Sequence, residues 1–220
     1  MFQPDDFYHL ATRLFPVCRS ITGEGVRQSL EIIREYIPNL EVHEVETGRK
    51  CFDWTVPKEW NIRDAYIITP DGQKICQFKD TNLHVVQYST PVHKKMSLTE
   101  LQKHLYSLPE IPDAIPYVTS FYQEHWGFCI NNEQRESLKE GTYEVVIDSD
   151  LSSGSLSFGD LLVKGKSDKE VLISTYTCHP SMANNETSGI TVATMLAKWV
   201  TENAPLEHSY RFVFAPETIG

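Results

Sequence analysis

Residues 175–189, TYTCHPSMANNETSG, join a predicted strand to a predicted helix and decide the fold that we expect for this chain. Residues 169–174 (KEVLIS) precede them and form an apolar, β-branched run that is typical of a buried strand. Residues 189–200 (GITVATMLAKWV) follow them with apolar residues at helical spacing, and Ser188 is available as the N-cap. In open α/β sheets, ligands bind at the carboxyl ends of the strands. The loop, with its thiol, imidazole, amides and carboxylate, is therefore the candidate site.

A second strand is predicted after the helix, in residues 208–220 (HSYRFVFAPETIG), and it ends at Glu217. If strand, helix and strand form one right-handed βαβ unit, His179 and Glu217 leave the same edge of the sheet. A histidine and a carboxylate that converge there indicate a metal site or an acid–base site.

Composition limits the classes of protein to consider. The chain has 220 residues, 40% hydrophobic and 23% charged, which indicates one large or two small globular domains. Its net charge is −10 and its longest basic cluster is residues 93–95, which argues against a nucleic-acid partner. No apolar run reaches the roughly 18 residues of a membrane span, and no signal peptide opens the chain. The five cysteines include no CxxC pair, so we expect reduced thiols and a cytoplasmic location.

The order of patterns along the chain predicts two domains. Helices are predicted over residues 4–15 and 24–37, followed by a strand in NLEVHEVET (39–47). Residues 48–150 contain short β runs, with a hairpin at Asp71-Gly72 and a short helix that begins with a capping box, Ser97 and Glu100. We therefore predict an α/β domain made from residues 1–47 and 151–220, with a β-rich domain inserted at 48–150.

Other polar residues have plainer interpretations. The loop Arg19-Ser20-Ile21-Thr22-Gly23 could bind an anion, but a surface connection is the favoured interpretation. Asp148 and Asp150 are interpreted as solvated carboxylates at a strand end. The isolated histidines are interpreted as structural or surface residues because none has a neighbour at ligand spacing: His84, His93, His104 and His125.

The segment TCHPSMANNETSGI (177–190) resembles the metal-binding loop of the zinc aminopeptidase superfamily. More closely, it resembles a bacterial group of aminopeptidase-like proteins that are often encoded near surface-polysaccharide biosynthesis genes. The resemblance covers nearly the whole chain, through the further segments FPVCRSITGEGVR, GRKCFDWTVPKEWNI, NLHVVQYSTPV, IPYVTSFY, HWGFCI and FAPETIG.

This resemblance implies a three-layer aminopeptidase-like α/β domain of the Zn-exopeptidase type with a β-rich insertion. It implies a zinc cofactor and hydrolysis of a small peptide or aminoacyl amide; the departures described below leave a site for one zinc ion or for none. His179 matches a zinc ligand, and Asn185 falls where the superfamily has a metal-bridging aspartate. Glu217 falls at the general-base glutamate, which takes a proton from the attacking water.

Several positions depart from the superfamily. Asn185 is a neutral amide, Ser181 replaces an orienting aspartate, and Thr218 replaces a second metal-binding glutamate. Glu186 is the carboxylate that could substitute as a ligand. The superfamily's later aspartate and histidine ligands come from beyond Gly220, so we expect this chain to lack the C-terminal part of the domain.

Two hypotheses of different classes therefore remain. One is a zinc-dependent aminopeptidase-like hydrolase, and the other is a non-catalytic binding or scaffold protein with a degenerate metal site. For the loop itself, a tight turn with Cys178 packed inward is the structural alternative to a metal site. Cys178 as a nucleophile is disfavoured, because adjacent residues of a strand point to opposite faces. An oligomer is compatible with both hypotheses.

Overall fold

The computed structural model describes residues 3–217, and these residues form five α-helices and twelve β-strands. In chain order they are α1 (Pro4–Leu14), α2 (Glu24–Arg34), β1 (Glu41–Glu46), β2 (Lys50–Cys51), β3 (Trp54–Thr55), β4 (Glu59–Ile68), β5 (Lys74–Ile75), β6 (Val92–Ser97), α3 (Leu98–Leu101), β7 (Leu105–Tyr106), β8 (Phe128–Cys129), α4 (Asn132–Glu136), β9 (Thr142–Ser152), β10 (Ser155–Val163), β11 (Glu170–Tyr176), α5 (Ser188–Glu202) and β12 (Ser209–Ala215).

The chain divides into two compact units. The first contains the residues up to Glu59 and from Ser153 onward, and the second is Trp60–Ser152. The predicted insertion begins earlier, at residue 48. The residues before Glu59 belong to the first unit because hydrogen bonds hold them there: Glu59 accepts from Arg27 and from the backbone N–H of Ser155.

The first unit is built on a four-stranded sheet with the strand order β1-β10-β12-β11. β11 and β12 are parallel, with Thr175 opposite Phe214, and α5 connects them. The predicted strand–helix–strand unit is therefore confirmed. The pairs β1–β10 and β10–β12 are antiparallel, so the sheet is mixed.

Three helices pack with the sheet in one hydrophobic core. α1, α2 and α5 contribute apolar side chains such as Leu10, Leu30 and Ile190, and β12 contributes Phe212 and Phe214 from alternate positions. In the neighbouring strand β11, the residues at the intervening positions point to the opposite face of the sheet. Two of them, Leu172 and Tyr176, are exposed. Helices and a mixed sheet thus share one core, and the fold class α/β is confirmed.

The main differences from the sequence predictions are at the end of α2 and at the start of α5. α2 ends at Arg34, three residues before the predicted end at 37. Ser188 is not an N-cap: one wide π-type turn, Ala183–Thr187, leads straight into α5, so no helix terminus exists at that point to be capped. The Ser188 hydroxyl instead donates to the carbonyl of Asn184, 2.7 Å away.

The second unit has a four-stranded sheet with the order β5-β4-β9-β6 and its own hydrophobic core. The predicted hairpin joins β4 and β5, and Gly72 adopts φ +84 in its turn, a conformation that glycine favours. The capping box of Ser97 and Glu100 is present at the start of α3. In the same unit, Asp148 is exposed, Asp150 is partly exposed, and both are paired with Arg63.

None of the described helices combines the length and the apolar character that a membrane crossing requires.

Candidate metal centre

The candidate centre lies where β11 ends. Pairing with β12 continues one residue past the strand, through the backbone N–H of Thr177 and the carbonyl of Ala215, 3.1 Å apart. The next side chain, Cys178, then contacts the other strand end: its Sγ is 3.3 Å from the backbone nitrogen of Glu217 and 3.4 Å from the carbonyl oxygen. The structure thus brings Glu217 to the same edge of the sheet as the histidine loop.

Three buried side chains meet at this edge: Cys178, His179 and Glu186, which are 0%, 6% and 1% exposed. Nδ1 of His179 lies 2.6 Å from Oε1 of Glu186 and 3.1 Å from Sγ of Cys178. One ligand atom from each residue lies within 4.8 Å of the others, and over residues 3–217 this is the one group of three or more His, Cys, Asp or Glu side chains so arranged. The π-type turn Ala183–Thr187 matters here because it directs Glu186 inward.

The buried carboxylate of Glu186 indicates what kind of ligand these three side chains could bind. Both of its oxygens are buried, and among the described residues neither has a partner in hydrogen-bond geometry, although Nδ1 of His179 is close to one of them. A buried carboxylate without oriented partners costs roughly several kcal/mol. A bound cation would remove that cost.

The donor set fits zinc. Zn²⁺ takes thiolate, imidazole and carboxylate ligands, and a mixed set of one of each lies within its ordinary chemistry. Since Zn–ligand bonds are about 2.0–2.3 Å long, ligand atoms around one ion lie farther apart than Nδ1 and Oε1 do here, so these two atoms would have to separate to share it. In their present contact, Glu186 lies beside Nδ1, the position from which carboxylates commonly orient histidines that bind metal through the other ring nitrogen.

A buried arginine supports the centre from the N-terminal loop. Arg19 is 0% exposed, and its guanidinium donates to the carbonyl oxygens of Leu14 and His179 and to the hydroxyl of Thr187. Burial lowers the pKa of Arg19 to about 10, and the negative charge of Glu186 opposes part of that change. Arg19 therefore fixes the histidine loop and supplies positive charge near the buried carboxylate.

The burial of Arg19 corrects the sequence interpretation of its loop. The sequence favours a surface connection for the loop from Arg19 to Gly23, with an anion site as the alternative. All five residues are buried, so the surface connection is wrong. The guanidinium is also bonded internally rather than presented to solvent.

The thiol of Cys178 is not poised as a nucleophile. Burial raises the pKa of Cys178 to about 12, with a further contribution from the charge of Glu186. A neutral thiol is a poor nucleophile, but a metal would deprotonate it on binding. The sequence argument that adjacent side chains diverge does not apply here, because β11 ends at Tyr176 and Cys178 lies in the loop.

The other predicted site residues lie outside the cluster of Cys178, His179 and Glu186 side chains. Asn185 is exposed, on the outer side of the turn that buries Glu186. Ser181 is partly buried and has a left-handed backbone, with φ 55. Glu217 is partly buried and reaches the group through its backbone contacts with Cys178. Thr218 lies outside the described residues.

Two contributors were missed by sequence reasoning, Cys178 as a potential ligand and Arg19 as a support. The signal for Cys178 was its position next to His179, just past the strand end. Nothing local indicated Arg19, whose contact with His179 spans 160 residues of sequence.

Residues 8–220 match the family described as a domain of unknown function, DUF4910. The chain belongs to the DUF4910 family. It is 52% identical over 215 residues to a protein of Clostridium acetobutylicum whose name combines polysaccharide biosynthesis with an aminopeptidase-like domain. That match covers 98% of this chain and 49% of the other protein, so the chain spans about half the length of its curated relative.

Solved structures show the fold. A crystal structure from Clostridium acetobutylicum, of a protein named as a peptidase, matches with 52% identity and a TM-score of 0.95, over 98% of this chain and 51% of that one. A zinc aminopeptidase from Bacillus subtilis matches with 11% identity and a TM-score of 0.60, over 96% of this chain and 59% of that one. A peptidase M28 precursor from Shewanella amazonensis matches with 12% identity and a TM-score of 0.58, over 94% of this chain and 63% of that one. The predicted aminopeptidase-like α/β fold is confirmed.

Proposed function

We propose that this chain carries part of the active centre of a zinc-dependent hydrolase that cleaves peptide or other amide bonds. The observation that carries the proposal is the buried contact between His179 and Glu186 just past the end of β11, beside Cys178 and Glu217. In a fold shared with zinc aminopeptidases, this is the edge where a ligand site is expected.

Each residue has a distinct role in this proposal. His179 and Glu186 hold the metal or, for Glu186, orient the histidine that does, and Cys178 is available as a third donor. Bound zinc would polarise the scissile carbonyl and activate water. Glu217 is the general base, and the Cys178 thiol keeps its backbone at the site. Arg19 holds the loop through the His179 carbonyl.

The substrate class follows from the resemblance and from the relatives. We propose a small peptide or an aminoacyl amide as substrate, and a role in surface-polysaccharide biosynthesis in the cytoplasm. The polysaccharide link is supported by the name of the Clostridium acetobutylicum relative. It remains a proposal for this chain, which spans about half of that relative.

A second candidate function is a binding or scaffold protein that retains the fold without catalysis. Two observations favour it: Asn185 is an exposed amide where the superfamily has a bridging aspartate, and the buried Arg19 already supplies positive charge near Glu186. In that case the buried group stabilises the loop and binds no metal.

The test begins with zinc per chain, measured by elemental analysis after dialysis, on this chain and on a chain extended past Gly220. Hydrolysis of a panel of aminoacyl amides is then measured for both proteins, with and without chelator. We expect hydrolysis that requires zinc and is lost in Glu217→Gln while the zinc content is retained. Zinc in neither protein, together with no turnover across the panel, would overturn the hydrolase proposal and favour the binding protein.

A further inference from the structure

The second unit contains a basic pocket that is unusual for an acidic chain. Its lining, which we call the basic pocket, consists of Lys94, Lys95, Met96, Glu100, Lys103 and His104. Three lysines and a histidine thus contribute to the lining of one concavity in a protein with a net charge of −10. The pocket has a volume of about 230 Å³. This is less than the roughly 300–1,000 Å³ of pockets for drug-sized ligands, so it suits a small ion.

The positive charge is only partly compensated. Lys95 shares Glu144 with His93, at 3.7 Å and 2.8 Å, so that carboxylate serves two cations. Glu100 is engaged in the capping box at the start of α3. In the part of the chain that the structure describes, neither Lys94 nor Lys103 forms an ion pair with a carboxylate. An isolated surface lysine is normally just solvated, but here two lysines without such ion pairs line the same concavity.

Aromatic contacts fix one wall of the pocket. The imidazole of His104 stacks on Trp126, with ring centroids 3.6 Å apart, and Nζ of Lys94 lies 5.1 Å from the same indole. Nδ1 of His104 lies 3.1 Å from the carbonyl oxygen of Trp126 and must donate to it, since a carbonyl cannot donate. Nε2 is therefore the nitrogen that gains a proton when the imidazole becomes charged.

The charges also act on each other. Burial lowers the pKa of His104, and the nearby charges of His125, Lys94 and Lys103 lower it further. An anion in the pocket would reverse the electrostatic part of this effect and favour the imidazolium.

We propose that the basic pocket binds a small phosphate-bearing anion. Lysine ammonium groups that line one pocket suit a multiply charged phosphate, which they bind as point charges, better than a single carboxylate. The proposal is independent of the hydrolase function, because every residue that carries it lies in the second unit.

The test measures binding of inorganic pyrophosphate to the chain by calorimetry at low ionic strength. The variant is the double substitution Lys94→Gln with Lys103→Gln, and the matched control is Lys139→Gln, an exposed lysine of the same unit outside the pocket. We expect saturable binding that weakens at least about tenfold in the double variant, because charge-assisted contacts are lost, and that is unchanged in the control. Equal thermal midpoints for all three proteins would show that the variants fold.

Two further measurements sharpen the result. NMR titration of His104 should show a higher pKa when pyrophosphate is present, and this shift should disappear in the double variant. A nucleoside diphosphate binding more tightly than pyrophosphate would identify a nucleotide-borne phosphate, and equal affinities would identify the phosphate alone. Undetectable binding of pyrophosphate, or binding that the double variant leaves unchanged, would overturn the proposal.

Discussion

Nδ1 of His179 lies 2.6 Å from Oε1 of Glu186, and both side chains are buried. The two residues are brought together because the chain turns once, in a π-type helical turn, between the end of β11 and the start of α5. A charged carboxylate in this position requires a partner, and the nearby arginine, the imidazole and a metal ion are the candidates that the site offers.

Glu186→Gln should reduce zinc affinity at least about tenfold, since an amide is a weaker ligand than a carboxylate and a weaker orienting group for histidine. The affinity is measured by competition with a chromophoric chelator. Glu202→Gln makes the same chemical change at an exposed position of the same unit and should leave the affinity unchanged. Equal affinity in the two variants would contradict a metal role for Glu186.

Asn185→Asp tests the position assigned from the resemblance. If Asn185 occupies the place of the bridging aspartate, the new carboxylate should raise zinc affinity, because it binds the cation more strongly than an amide does. The same chelator competition measures it. Unchanged or weaker binding would show that the exposed position of Asn185 keeps it out of the metal centre.

Arg19→Met should lower the free energy of unfolding by about 3–5 kcal/mol, the usual effect of removing one partner from a buried charged network. The variant leaves the carbonyls of Leu14 and His179 without their donor and Glu186 without compensating charge. Urea denaturation measures the change. Arg34→Met, which removes an exposed ion pair with Glu31, is the control and should cost less than about 1 kcal/mol.

Thiol labelling of the folded, metal-free chain should distinguish the cysteines by burial. Cys51 is exposed and should react first, whereas Cys178 should stay protected at pH 7–9 because burial raises its pKa to about 12. The pKa values of the buried Cys76 and Cys129 are also raised to about 12, so they should behave alike. Mass spectrometry after short exposure to iodoacetamide locates the label. Rapid modification of Cys178 would contradict a neutral, buried thiol.

Gly25→Ala should destabilise the fold by about 2 kcal/mol or more, although alanine is the better helix former. A Cβ at this position would come within 1.9 Å of the carbonyl oxygen of Cys18, a backbone atom that cannot move aside alone. Gln28→Ala, at an exposed position of the same helix, should have little effect. Comparable unfolding midpoints for the two variants would show that the loop before Arg19 adapts.

Much of the fold was predictable because its signals are local. Apolar runs and turn residues placed β11, α5, β12 and the Asp71-Gly72 hairpin, and the parallel pairing of β11 with β12 follows from their order around one helix. The helix start near Ser188 was predicted with the wrong terminus, because a π-type turn is not encoded by a capping residue. The boundaries of the second unit differ from those predicted, because hydrogen bonds of Glu59 hold its segment in the first.

The sequence by itself determined the strand–helix–strand unit and the candidate loop that contains His179. Periodicity and turn chemistry act between neighbouring residues, so they can be seen without a structure. Only the tertiary structure decided which side chains meet there. The turn buries Glu186 and exposes Asn185, and the packing of the N-terminal loop carries Arg19 to a histidine 160 residues away. Those contacts depend on the direction of side chains and on long-range packing, which no local pattern records.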